Sequence, residues 1–121
     1  MLNRLLGSVL SVMVTVAACG PPFGSVDCTT EALPGIAITI RHGATGDSIG
    51  RALVIAEDGA FVDSTRSDGS GTAALAFERP GTYAVTVTKK GFSSWSRSPV
   101  RVSEGECHVE MVHLTAVLDS V

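Results

Sequence analysis

The sequence has no run of basic residues, no phosphate-binding loop and, past residue 19, no stretch with the apolar period of a helix. With a formal net charge of −3, the missing basic run removes the electrostatic footprint of a nucleic-acid binder. The missing loop removes the nucleotide chemistry built on it. The missing helical period leaves β-structure as the scaffold. At 121 residues there is room for one domain and little else.

What is present at the N-terminus follows the export pattern. Met1–Arg4 carries a positive charge, Leu5 to Val16 is uncharged and mostly apolar, and Val16-Ala17-Ala18-Cys19 closes the segment with small residues before a cysteine. Such a segment is too short to remain as a comfortable membrane span and ends in a cleavage-type site. It resembles a bacterial lipobox. The expectation is a lipoprotein signal peptide over 1–18, lipid on Cys19 and a tether over 19–34. Two or three acyl chains hold a protein on a membrane stably, whereas one holds it weakly. Gly20 after the cysteine points to the outer membrane where a cell has two.

The cysteine count agrees. Of three cysteines, lipid on Cys19 leaves Cys28 and Cys107, and an exported protein lies where disulfides persist. A Cys28–Cys107 bridge is therefore expected. Closing a loop that long stabilises a small domain by about 4–5 kcal/mol on the chain-entropy model.

From Gly35 the period is two. Ile36, Ile38 and Ile40 alternate with Ala37, Thr39 and Arg41, and Arg51–Glu57 follows with Leu53 and Ile55 on one face. Asp58-Gly59 is a tight-turn signal before Ala60–Thr65. Thr72–Glu78 places Ala73, Leu75 and Phe77 inward, and Thr82–Lys89 does the same with Tyr83, Val85 and Val87. Trp95 to Val102 is a strand interrupted by Pro99. Cys107 to Leu118 changes phase near Met111–Val112, which predicts a β-bulge or a strand buried on both faces. Seven or so short strands between turns make an all-β antiparallel sandwich over 35–121.

Glu78-Arg79-Pro80-Gly81-Thr82-Tyr83-Ala84-Val85-Thr86-Val87, then Lys90-Gly91-Phe92, Val100-Arg101-Val102 and Cys107-His108-Val109, together resemble the carboxypeptidase regulatory-like domains. Ile38-Thr39-Ile40 with Ala44-Thr45-Gly46 matches that family's first strand and hairpin. The likeness covers most of Gly35–Leu118. It implies a prealbumin-like, seven-stranded Greek-key sandwich that serves as an accessory or interaction module.

Candidate chemistry is sparse. Gly46-Asp47-Ser48-Ile49-Gly50 has the spelling of a nucleophile elbow, but it lies between strands, and the elbow needs a strand–turn–helix. His108 and His113 fall on opposite faces of a regular strand, with His42 far off in sequence, so no metal site is expected. Asp58, Asp63 and Asp68 fit no EF-type calcium loop. Phe92 and Trp95 could form a platform for a sugar or a peptide, and an exposed edge strand could serve the same end. Transthyretin-like hydrolases share a related sandwich but end in Tyr-Arg-Gly-Ser, whereas this chain closes Val117-Leu118-Asp119-Ser120-Val121. The expectation is thus a lipid-anchored envelope module with no catalysis and no cofactor. Its partners would be the membrane, through the lipid, and an envelope protein or glycan; the alternative is a carbohydrate- or peptide-binding module.

Overall fold

A computed structural model describes residues 28–121. The signal peptide expected over 1–18, the lipid expected on Cys19 and the start of the expected tether lie outside the described residues. Eight strands follow in order: β1 Ile36–His42, β2 Leu53–Asp58, β3 Phe61–Arg66, β4 Thr72–Leu75, β5 Gly81–Thr88, β6 Trp95–Glu104, β7 Val109–Glu110 and β8 Val112–Leu118. They form two sheets, one ordered β4-β1-β8 and the other β3-β2-β5-β6-β7. The all-β sandwich expected from the period of two is the fold found.

The sandwich closes because each strand buries alternate residues. Ile36, Ile38 and Ile40 on β1, Leu75 on β4 and Leu114, Ala116 and Leu118 on β8 face Val54, Ala56, Tyr83, Val85, Val87, Val100 and Val102 across the core. Each full burial of a large apolar side chain contributes about 1.5–3 kcal/mol. The clearest alternation, Tyr83-Val85-Val87, is buried as expected. Leu53 and Ile55 do share a face, but it is the outer, half-buried one, and Val54 and Ala56 take the core.

Three local differences have physical causes. Phe77, expected inward, is 49 % exposed. The chain leaves strand geometry at Ala76, with φ 56°, and again at Glu78, with φ 52°, so β4 stops at Leu75 and Ala76 takes the buried position. The phase change near Met111 is not a bulge but a change of sheet. Glu110 pairs with Ser103 on β6, whereas Val112 begins a parallel ladder with Ile36 on β1. That switch makes eight strands among the described residues from the seven expected, and β1–β8 is the one parallel pairing among them. Pro99 does not end its strand. The register shifts between Tyr83 and Val85, so an extra residue of β6 bulges there, a place where a missing N–H is tolerated.

Registers define two ends. Leu53 lies beside Arg66 and Thr88, and Val87 beside Trp95, with Phe92 bridged to Ser120 nearby. At the opposite end, Gly81 lies beside Val102 and Ser103 beside Glu110. The β1 start closes onto this second end: a Cβ on Gly35 would sit 3.0 Å from a Val102 methyl. The hairpin between β2 and β3 turns through Gly59, whose φ of 61° suits the first loop position of a type II′ turn.

Candidate functional site

At the Val102 end, residues 28–34 are not a free tether but are fastened to the sandwich. Cys28 and Cys107 form a disulfide with Cα atoms 5.2 Å apart. Leu33 exchanges two hydrogen bonds with Glu78: its N–H donates to Glu78 Oε2 at 2.8 Å, and its carbonyl accepts from the Glu78 N–H at 2.9 Å. Glu78 Oε2 also meets His108 Nδ1, Glu78 Oε1 accepts from the Val109 N–H at 3.3 Å, and His108 Nε2 lies 2.9 Å from Thr29 Oγ1. The Leu33 N–H foremost, then the His108 contact, holds the Glu78 carboxyl below its ordinary value.

Thr29, His108 and Glu78 thus stand in the order hydroxyl, imidazole, carboxylate, as in a hydrolytic relay. Such a relay also requires N–H donors converging where a substrate oxyanion forms. Here the backbone N–H groups of Leu33 and Val109 converge on Glu78 instead. The arrangement works as a latch that holds the incoming segment. It was missed in the sequence because Thr29 and His108 are 79 residues apart, and no local spacing signals the pair.

The other sequence candidates are dispersed. His42 meets the Phe92 ring edge-on at 5.2 Å, and His113 is exposed on β8. Among the described residues no three His, Cys, Asp or Glu side chains gather as a metal site would require. Ser48 forms an isolated bridge with Arg41, with no helix behind it. Phe92 and Trp95 are half-buried against the core, and the Arg97 guanidinium lies 5.4 Å over the Trp95 ring.

The three aspartates serve the fold. Asp58 pairs with Arg79 at 3.1 Å, and Asp63 accepts from the Ala76 N–H at 2.8 Å, which fixes the turn that ends β4. Asp68 accepts from the Thr72 N–H, the Ser70 hydroxyl and the Thr72 hydroxyl, which bring its carboxyl down to about 2. Tyr83 closes a corner: its hydroxyl donates to the Arg79 carbonyl at 2.7 Å, and the Arg79 guanidinium stacks 3.9 Å over Phe61.

The Leu53 end carries a cleft of about 550 Å³, lined by Arg51, Leu53, Arg66, Thr88, Lys89 and Lys90. Lys89 and Lys90 follow the end of β5, and the pairing of β5 with β2 and of β2 with β3 brings them beside Arg51 and Arg66.

A family model for the carboxypeptidase regulatory-like domain matches residues 26–115. No curated protein matches the chain.

Proposed function

Since the chain belongs to the carboxypeptidase regulatory-like domain family, whose sandwiches are non-catalytic modules, we propose that it is an interaction or structural module of a bacterial envelope, held there by lipid on Cys19. The supporting observation is where the reactive side chains go. Glu78, His108, Asp58, Asp63 and Asp68 are all engaged in holding loops and the N-terminal segment. A catalytic site needs such groups directed at a shared reacting point.

The anchor rests on Val16-Ala17-Ala18-Cys19. It is tested by fractionating cells that express Cys19→Ser: loss of acyl incorporation and of membrane association is expected. A variant that still sediments with membranes at the mature mass overturns the anchor. Crosslinking in intact envelopes tests the module role, with a reproducible protein or glycan neighbour as the expected result.

A further inference from the structure

The chain has nine lysines and arginines and a net negative charge, yet Arg51, Arg66, Lys89 and Lys90 line a single cleft. No carboxylate lines it. The ion pairs among the described residues, Arg79–Asp58 and His108–Glu78, involve none of the four. Like charges gathered without counter-charges repel one another and oppose folding.

The cleft is also held in shape. Ser67, only 3 % exposed, donates through its hydroxyl to the Ile49 carbonyl at 2.8 Å and accepts from the Ala52 N–H at 2.9 Å. Its backbone carbonyl takes the Arg51 N–H at 2.8 Å. This clasp holds Arg51 at φ 61°, a conformation that non-glycine residues seldom adopt without such support. Arg66 Nη1 then donates to the Arg51 carbonyl at 3.1 Å, which ties the second guanidinium to the same turn. Thr88 adds a hydroxyl, and Leu53 an apolar wall.

We propose that this cleft binds a small ligand bearing phosphate with at least two negative charges. The proposal rests on the reading of the domain as an interaction module and names a site on it. Guanidinium forks pair bidentately with phosphate oxygens, and lysines add compact point charges. Four cations exceed what one carboxylate balances. The volume lies in the range of small-molecule sites, and the depression is open to solvent, so its cations are accessible to a ligand.

The test is calorimetric titration of the purified mature protein with inorganic pyrophosphate. Saturable binding is expected, weakening as ionic strength rises from about 0.01 M to about 0.15 M. Arg51→Gln/Arg66→Gln should bind about tenfold more weakly or worse. Lys89→Gln/Lys90→Gln, which leaves the Ser67 clasp intact, should weaken it in the same direction and guards against a folding defect in the first variant. Arg41→Gln/Arg101→Gln, an equal charge change outside the cleft, should bind as the parent does. Absence of saturable binding, or equal loss in all three double variants, overturns the proposal. So does capture of the unlipidated Cys19→Ser protein on phosphatidylglycerol vesicles without pyrophosphate binding. None of these readouts depends on Cys19 or on a crosslinked neighbour, so failure here is separable from failure of the module reading.

Discussion

The two ends of the sandwich treat charge in opposite ways. At the disulfide end, Glu78 and His108 are matched to each other and to the backbone of the incoming segment, and Asp58 to Arg79. At the cleft end, four cations share a lining without a carboxylate among them. Internal pairing satisfies a charge and makes it part of the fold. An unmatched cluster on a rigid turn leaves a charge requirement that something outside the chain can meet. Glu78, His108 and Asp58 are therefore structural, whereas the four cations of the cleft take part in no ion pair among the described residues.

Breaking the bridge is the strongest challenge to this division. Cys28→Ser/Cys107→Ser should lower global stability by about 4–5 kcal/mol, since it releases the loop constraint on the unfolded chain. Denaturant unfolding would measure the loss, and pyrophosphate binding under native conditions should survive it. If binding disappears while the variant remains folded, the two ends are not independent. Ile38→Ala, in the core common to both, should cost about 2–5 kcal/mol and lower the thermal transition seen by probes at either end alike.

Acid separates the ends more finely. The folded carboxyls of Glu78 and Asp68 lie below their ordinary values of 4.5 and 3.8. The stability each contributes is present above those values and is lost as pH falls through the folded one. For Asp68 that window runs from 3.8 down to about 2. Glu78→Gln should flatten part of the acid limb of stability against pH, and Asp68→Asn its lower portion. An unchanged acid limb in both variants removes the carboxylate account of these loops. The smallest effects belong to Ser48→Ala and His113→Ala, expected within about 0.5 kcal/mol and measured by thermal melts. Thr29→Ala should likewise leave no ester-hydrolysing activity to lose, because none is expected in the parent.

Strand positions were readable wherever a side chain's role depends on its immediate neighbours. The Tyr83-Val85-Val87 face and the Asp58-Gly59 turn are set by local alternation and local dihedral preference. The switch at Met111 was visible as a change of phase, but its meaning was not, because which sheet receives β8 depends on β1, far back in the chain. Phe77 was misplaced for a related reason. The turn that ejects it is fixed by Asp63 reaching the Ala76 N–H from another strand. Neither the latch nor the cleft has a local signature: Thr29 meets His108, and Arg51 meets Lys89, only once the sheets are assembled.

The bridge also fixes how the domain answers to tension. A pull on the chain ahead of Cys28, opposed by one beyond Leu118, passes through the sulfurs to Cys107 and bypasses everything between them. Only the stretch from Cys107 onward carries the force, and β8 must slide along its parallel neighbour β1. Its hydrogen bonds are then loaded side by side, not opened one after another. Once β8 has been drawn out, residues 107–121 lengthen the chain to at most about 50 Å, and the covalent loop halts further extension. Reducing the disulfide removes that stop, so a single redox event would turn a short, self-limiting tether into one that pays out the whole sandwich.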